Sequence, residues 1–152
     1  MGLLDLALRQ KPDLVCLPEA FTTASVTDKS IEELAETLPG PTTDAVTEKA
    51  KEHRCYIICP IRTRRDSKLW NSAVVIDRSG DILGTYDKAH PVTSSSDYTI
   101  FEDGVTSGGE IPVFDLDFGR VGIQICFDIG FSETWEKLSE KGAKMVFWPS
   151  AY

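Results

Sequence analysis

This chain of 152 residues has few of the residues that build metal sites or disulfide frameworks. It contains two histidines and four cysteines, with no Cys-x-x-Cys pair. A structural zinc site needs about four closely spaced nitrogen or sulfur ligands, so the sequence predicts no metal centre. The cysteines lie in or beside apolar runs. This distribution indicates free thiols and favours the reducing cytoplasm as the location of the protein.

Excess positive charge and long apolar runs are also lacking. Lysine and arginine number 16 against 24 aspartates and glutamates, which gives a formal net charge of −8. That balance argues against partners made of nucleic acid or anionic membrane. The one small basic cluster comprises Arg62, Arg64, Arg65 and Lys68, and its alternation predicts a solvated strand end. No membrane span is visible, and no glycine loop suits a nucleotide phosphate, so no cofactor is predicted.

Hydrophobic periodicity predicts a single α/β domain, because helical and strand patterns alternate along the chain. A mixed β-sheet with helices packed on one face follows from this order. Polar residues over 90–109 predict a long loop, and 78–81 predicts a hairpin turn. The expected helices cover 3–8, 31–38, 42–53 with Thr42 or Thr43 as its cap, and 132–141. The expected strands cover 14–17, 55–59, 70–76, 82–86, 112–116, 121–126 and 144–148.

The ends of three predicted strands carry side chains with useful chemistry. Glu19 follows the strand over 14–17, Lys88 follows the strand over 82–86, and Cys126 ends the strand over 121–126. A thiol at a strand-to-helix junction lies where backbone N–H groups favour a thiolate or an oxyanion. Each residue taken alone also has an ordinary explanation. Cys126 would be a small core residue, Glu19 a solvated or helix-start carboxylate, and Lys88 a surface lysine.

Taken together, these motifs resemble the nitrilase, or carbon-nitrogen hydrolase, superfamily with its Glu-Lys-Cys triad. The resemblance is carried by five stretches, which are Leu14-Val-Cys-Leu-Pro-Glu19-Ala-Phe21, Trp70-Asn-Ser-Ala-Val-Val-Ile-Asp77, Ile82-Leu-Gly-Thr-Tyr86-Asp-Lys88-Ala-His90, Gly119-Arg-Val-Gly-Ile-Gln-Ile-Cys126-Phe-Asp128 and Trp148-Pro-Ser-Ala151. It implies a nitrilase-like αββα sandwich. We expect that sandwich to be incomplete, with residues 1–152 forming a partial domain that lacks the family's first strand and its C-terminal portion.

The resemblance also implies a role for each residue of the triad. Cys126 is expected to attack a carbonyl carbon after Glu19 has taken its proton. Lys88 and the backbone N–H of Phe127 are expected to stabilise the oxyanion. Family members carry a second acid near the lysine, and here two residues compete for that place. Glu102 fits if Gly108 anchors the loop, and Asp97 fits if Gly104 does.

Two departures from the family pattern refine the expected function. Phe127-Asp128 follows the cysteine where nitrilases carry Trp-Glu, which favours an amidase-like branch, and Ser132 replaces a common proline. The leading hypothesis is therefore hydrolysis of a small linear amide or N-carbamoyl compound. Acyl transfer to an amine uses the same triad and stays open. The alternative outside enzymology is an inactive fragment or an oligomeric interaction module. The resemblance implies a homo-oligomer for the full-length form.

Overall fold

The computed structural model describes residues 2–26, 28–93 and 102–151. Helices and strands alternate in it broadly as the periodicity predicts. The helices are α1 (Gly2–Leu8), α2 (Ile31–Leu34), α3 (Pro41–His53) and α4 (Ser132–Glu140). The strands are β1 (Leu14–Cys16), β2 (Tyr56–Arg65), β3 (Lys68–Ile76), β4 (Ile82–Asp87), β5 (Val113–Leu116), β6 (Gly119–Ile123) and β7 (Met145–Phe147).

The first sheet has four strands in the order β1-β2-β3-β4. β1 runs parallel to β2, and the remaining neighbours are antiparallel. The turn between β3 and β4 places Gly80 at a φ of 86°. Glycine adopts this conformation without steric cost. Side chains on β2 and β3 alternate between two buried faces, so this sheet is covered on both sides.

Helices α1 and α3 cover the outer face of the first sheet. Leu4 and Leu8 of α1 pack with Val46 and Ala50 of α3. Beneath them lie apolar side chains of β2 and β3, which are Ile57, Cys59, Ile61, Val74 and Ile76. The hydrophobic stripes of the two helices are therefore buried against one face, as expected for an amphipathic helix on a sheet.

The second sheet packs against the inner face of the first. It has three strands in the order β5-β6-β7, with β5 antiparallel and β7 parallel to β6. Val121 and Ile123 of β6 belong to the same core as Ile58 and Val75 of the first sheet. Helix α4 lies on the far side of β6, where Gly122 leaves space for a leucine side chain of the helix. The described residues thus form four layers in the order α, β, β, α.

Several predicted boundaries are wrong. Helix α2 ends at Leu34 rather than at 38, because the backbone of Glu36 bonds to β2 through the Arg62 carbonyl and the Arg64 N–H. The N-cap of α3 is Gly40, and Thr43 instead accepts a hydrogen bond from the Gly40 N–H. The strands form two sheets, as the αββα sandwich implied by the resemblance requires. None of the described helices is long and apolar enough to span a membrane.

Candidate active site

A row of polar side chains crosses the first sheet at one end of the interface between the sheets. Arg62 on β2 is directly opposite Asn71 on β3, and the Lys88 N–H donates to the Asn71 carbonyl at 2.8 Å. Because strand side chains alternate, this row shares the inner face with the core pair Ala73 and Tyr86. The strand register therefore places two cations and an amide side by side below the hydrophobic core.

Lys88 lies between two carboxylates. Its Nζ donates to Glu19 Oε1 at 2.9 Å and to Glu102 Oε2 at 2.8 Å. All three side chains are buried, with Lys88 only 1% exposed. Burial by itself lowers the pKa of Lys88, but attraction to Glu102 and Glu19 outweighs it, and the net effect raises that pKa. The ammonium therefore stays charged, as an oxyanion partner must.

Glu102 occupies the place of the second acid beside Lys88. Asp97, the other residue considered for this place, lies outside the described residues. The Glu102 carboxylate accepts four hydrogen bonds. Oε1 accepts from Arg62 Nη1 and from Asn71 Nδ2 at 2.7 Å. Oε2 accepts from Lys88 and from the Val92 N–H at 2.9 Å.

These partners hold Glu102 in its ionised form. Burial raises the pKa of the Glu102 carboxyl, but Arg62 and Lys88 together outweigh burial and lower it to about 2. A carboxylate with four donors and so low a pKa is a poor proton acceptor at neutral pH. Glu102 is therefore suited to anchor Lys88 and unsuited to act as a general base.

Asn71 connects the two carboxylates and is fully buried. Its Nδ2 donates at 2.7 Å to Glu19 Oε1 and at 2.7 Å to Glu102 Oε1. Both contacts are carboxylate oxygens, which accept hydrogen bonds. If the amide were flipped, its own oxygen would face these two oxygens and repel them, so the nitrogen is assigned to this position. Asn71 consequently fixes the spacing between the acids on either side of Lys88.

Cys126 begins the turn after β6 and has a constrained backbone. Strand β6 ends at Ile123, three residues before the end predicted from sequence, and Cys126 starts a 3-10 helix over Cys126–Gly130. Its φ of 46° lies in the left-handed region, which is uncommon for a residue with a side chain. The Cys126 N–H donates to the Pro149 carbonyl at 2.9 Å, and Trp148 Nε1 donates to the Cys126 carbonyl at 2.7 Å. These bonds hold the thiol in position.

The Cys126 thiol is half-buried beside the acid and the lysine. Burial raises the pKa of Cys126, Glu19 raises it further, and Lys88 and the Ala151 N–H lower it, with a net increase. The thiol therefore carries its proton at neutral pH and needs a base. Glu19 lies close enough to this thiol to influence its pKa, and Glu19 Oε2 accepts a hydrogen bond from the Ala151 N–H at 3.1 Å. Phe127 follows in the first helical turn, where N–H groups have no intrahelical acceptor.

Asp128 ties the cysteine turn to the segment that carries the lysine. It is fully buried, and its Oδ2 accepts from Tyr86 Oη at 2.6 Å and from the Ile125 N–H at 2.9 Å. Its Oδ1 accepts from the His90 N–H at 2.8 Å. The His90 ring contacts Asp128 through Nδ1 and Glu133 through Nε2, both at 3.2 Å. His90 is thus a structural hydrogen-bonding partner at this junction.

Sequence reasoning missed two members of the cluster. The prediction that Arg62 lies on a solvated strand end is wrong, since it is 8% exposed and paired with Glu102. Asn71 lies in one of the motifs that carry the resemblance, and the sequence alone assigns it no role. Strand alternation could have indicated that Arg62 is buried. Arg62 is an even number of residues from Ile58 on the same strand, so both side chains lie on the face that points to the core. Within 2–26, 28–93 and 102–151, no group of three or more metal-ligating side chains is positioned to hold a metal ion.

Comparison with known proteins gives one consistent result. The sequence matches the family described as carbon-nitrogen hydrolase over residues 1–151. It is 32% identical to an omega-amidase of Bos taurus over 99% of this chain and 56% of that protein. It is 35% identical to a nitrilase of Pyrococcus abyssi over 95% of this chain and 54% of that protein. A beta-ureidopropionase of Arabidopsis thaliana is 32% identical over 91% of this chain and 35% of its own length.

Solved structures agree with the sequence matches. A carbon-nitrogen hydrolase from Helicobacter pylori superposes with a TM-score of 0.85 at 25% identity, covering 99% of this chain and 53% of that one. The NitFhit protein of C. elegans gives a TM-score of 0.81 at 25% identity, covering 98% and 38%. The predicted nitrilase-like fold is thereby confirmed. The chain spans about half the length of the omega-amidase and the nitrilase, and about a third of the ureidopropionase.

Proposed function

Because the chain belongs to the carbon-nitrogen hydrolase family, we propose that it hydrolyses a small linear amide or N-carbamoyl compound through a thioester on Cys126. One observation carries this proposal. Glu19 lies beside the Cys126 thiol, whose pKa it raises, and Glu19 Oε1 accepts a hydrogen bond at 2.9 Å from the buried ammonium of Lys88. Nucleophile, base and positive charge are the three elements that acyl transfer from nitrogen requires.

The proposed reaction begins with proton transfer from the Cys126 thiol to Glu19. The sulfur electron pair attacks the carbonyl carbon, and the C=O π electrons move to oxygen to form a tetrahedral oxyanion. Lys88 and the Phe127 N–H stabilise that charge. Collapse of the intermediate breaks the C–N bond while Glu19 returns the proton to the leaving nitrogen, so ammonia or an amine departs and a thioester remains.

Hydrolysis of the thioester repeats the same chemistry with water. Glu19, again ionised, accepts a proton from a water molecule whose oxygen attacks the thioester carbonyl. A second oxyanion forms in the same place, and its collapse breaks the C–S bond. The sulfur recovers a proton from Glu19, and a carboxylic acid or carbamic acid leaves. Glu19 alternates between base and acid because it exchanges one proton with each partner in turn.

The division of labour between the acids supports this assignment. Glu102 has all its acceptor positions occupied by donors, two of them cationic. Glu19 receives one cationic donor and two neutral N–H donors, and it also faces the thiol. The carboxylate nearest the sulfur is therefore the one with the greater freedom to accept a proton.

The proposed substrate class follows the relatives and the residues after the cysteine. Two of the relatives are named omega-amidase and beta-ureidopropionase, names that denote amide and N-carbamoyl chemistry in those proteins. Phe127-Asp128 is the pair that favours the amidase-like branch. For this chain we carry over only the class of bond, a C–N bond next to a carbonyl in a small linear molecule.

Measurement of ammonia release from a panel of small linear amides and N-carbamoyl amines tests the proposal. Cys126→Ala is expected to lose about 10³-fold or more in turnover. Cys16→Ala is the matched control, since Cys16 is another half-buried thiol, with its pKa raised by burial to about 12. Lys88→Met is expected to lose ~10²–10³-fold. Equal activity of Cys126→Ala and the parent would refute the function.

Product analysis separates hydrolysis from acyl transfer. With hydroxylamine present, an acyl transferase gives a hydroxamate in place of the acid and at a faster overall rate. The proposed hydrolase gives mainly the acid when the competing amine is dilute. After rapid quenching, mass spectrometry of the intact chain is expected to show the added acyl group. Digestion and a second measurement should locate it on the peptide that contains Cys126.

The proposal includes two statements about the whole protein. The free thiols at positions 16, 55, 59 and 126 favour a reducing cytoplasm. The exposed leucines of α1, Leu3 at 84% and Leu6 at 55%, favour a homo-oligomer that covers them. Light scattering after size exclusion checks the second statement, and a Leu3→Lys, Leu6→Lys variant is expected to shift the protein towards the monomer.

A further inference from the structure

The buried cluster contains two negative and two positive side chains. Glu19 and Glu102 are the acids, and Lys88 and Arg62 are the cations. All four are at most 8% exposed, so they are largely removed from solvent. A buried set with balanced charges avoids the high cost of an unpaired ion, whereas removal of one cation leaves a net charge of −1. The mechanism above uses Lys88 and gives no task to Arg62.

We propose that Arg62 is a positioning residue that neutralises Glu102, so that Lys88 remains shared between Glu102 and Glu19. This inference rests on the proposed function, because it takes Glu19 as the base. The side chain of Arg62 donates its hydrogen bond to Glu102. It acts through the carboxylate that holds the lysine.

The contacts of Glu102 give the reason. Arg62 and Asn71 occupy Oε1, while Lys88 and the Val92 N–H occupy Oε2. If Arg62 is removed, Lys88 is the one cation of residues 2–26, 28–93 and 102–151 that still contacts the two acids, which Asn71 also joins. Acids coupled in this way titrate as a pair, and the pair binds a proton more readily once a cation is lost.

Either location of that proton impairs the base. A proton on Glu19 prevents it from accepting the proton of the thiol. A proton on Glu102 releases Lys88 to pair with Glu19 alone, and a carboxylate paired wholly with an ammonium is a weaker base. Among the described residues, the charged and titratable groups that face the two acids are Arg62 from β2, Lys88 immediately after β4 and the Cys126 thiol from the turn after β6.

The test measures the rate of Cys126 alkylation by iodoacetamide as a function of pH, in the full chain, with mass spectrometry to locate the label. For Arg62→Gln we expect the acid limb of the profile to move up by about 1 pH unit or more. Alkylation on that limb then slows ~10-fold, and the rate well above the limb is unchanged. Arg62→Lys, which keeps the charge, is expected to restore most of the parental profile.

Arg64→Gln is the matched control. Arg64 lies on the same strand with its side chain exposed, and its recorded contact is to the Glu32 carbonyl at 3.3 Å. We expect its acid limb to coincide with that of the parent. Glu19→Gln tests the proposed function in the same assay, since loss of the base is expected to remove the limb due to Glu19 and to leave alkylation dependent only on ionisation of the thiol, whose pKa is raised.

The outcomes separate the two ideas. If Glu19→Gln removes the limb while Arg62→Gln leaves it at the parental pH, the inference about Arg62 fails and the proposed function stands. If Glu19→Gln leaves the profile unchanged, the proposed function fails. The double variant Arg62→Gln, Glu102→Gln removes one positive and one negative charge, so the net charge of the cluster stays zero. It replaces the single variant in the test if Arg62→Gln does not fold. Its limb is expected near the parental pH, and a limb that stays shifted overturns the inference.

Discussion

Protonation of Glu102 should destabilise the fold, and the size of the effect follows from its contacts. The carboxyl has a pKa of about 2 in the folded chain against an ordinary value of 4.5. A group whose pKa is lowered by folding contributes stability above its unfolded pKa, and this contribution disappears as the pH falls towards the folded pKa. The difference of about 2.5 units corresponds to about 3 kcal/mol at neutral pH.

Most of that contribution is lost within an accessible pH range. Between pH 7 and pH 3, linkage gives a loss of about 2 kcal/mol from this one carboxyl, with the steepest change below its unfolded pKa. The assay is urea unfolding followed by tryptophan fluorescence at a series of pH values. The parent is compared with Glu102→Gln, which cannot titrate, and with Glu110→Gln, which removes an exposed carboxyl.

The prediction concerns how the free energy of unfolding changes with pH in these three chains. We expect the parent and Glu110→Gln to lose about 2 kcal/mol more than Glu102→Gln over this range. Glu102→Gln leaves the Arg62–Lys88 pair with less compensation, so its stability at pH 7 is expected to be lower. If it is too unstable to follow, carboxyl NMR of glutamate-labelled parent should show one resonance titrating near pH 2. Parallel pH profiles, or no such resonance, would refute the reasoning.

Two further predictions concern glycines that are in close contact with their neighbours. A Cβ at Gly122 would lie 2.5 Å from Leu138 Cδ2, so Gly122→Ala should cost about 1–3 kcal/mol, measured by urea unfolding, and Leu138→Ala in the same chain should recover part of that loss. A Cβ at Gly108 would clash with the Asp87 backbone carbonyl, so Gly108→Ala should lower both the melting temperature and the rate of Cys126 alkylation. Gly109→Ala is the control, because a Cβ at Gly109 would have no other atom within 4 Å, and it should change neither quantity.

Local patterns were sufficient to predict most of the secondary structure, because burial follows periodicity closely here. The alternation of β2 and β3 and the helical spacing of α3 both correspond to buried faces. The boundaries failed where long-range backbone pairing overrides propensity. The segment after Leu34 has helical composition, yet Glu36 is drawn into an extended bridge with Thr63. Local sequence patterns do not indicate that Thr63 will pair with Glu36.

The site was only partly accessible from sequence for a related reason. Glu19, Lys88 and Cys126 stand at strand ends beside recognisable motifs, so their juxtaposition could be anticipated. Arg62 sits among other basic residues, and its partner Glu102 is 40 positions away, within the stretch predicted as a long polar loop. Charge clustering along a strand indicates solvent on average. The exception here depends on a carboxylate that the topology delivers from another part of the chain.

The contact between Glu19 and Ala151 has a consequence for the order of events during synthesis. It joins residues 132 positions apart, and the turn of Cys126 is held by bonds to Trp148 and Pro149. A ribosome makes the base and the lysine long before it makes these braces. In a nascent chain that does not yet contain Trp148 and Pro149, these hydrogen bonds are missing and do not hold the Cys126 backbone in its left-handed conformation. Biosynthesis therefore completes Glu19 and Lys88 before it makes the residues that fix the Cys126 turn.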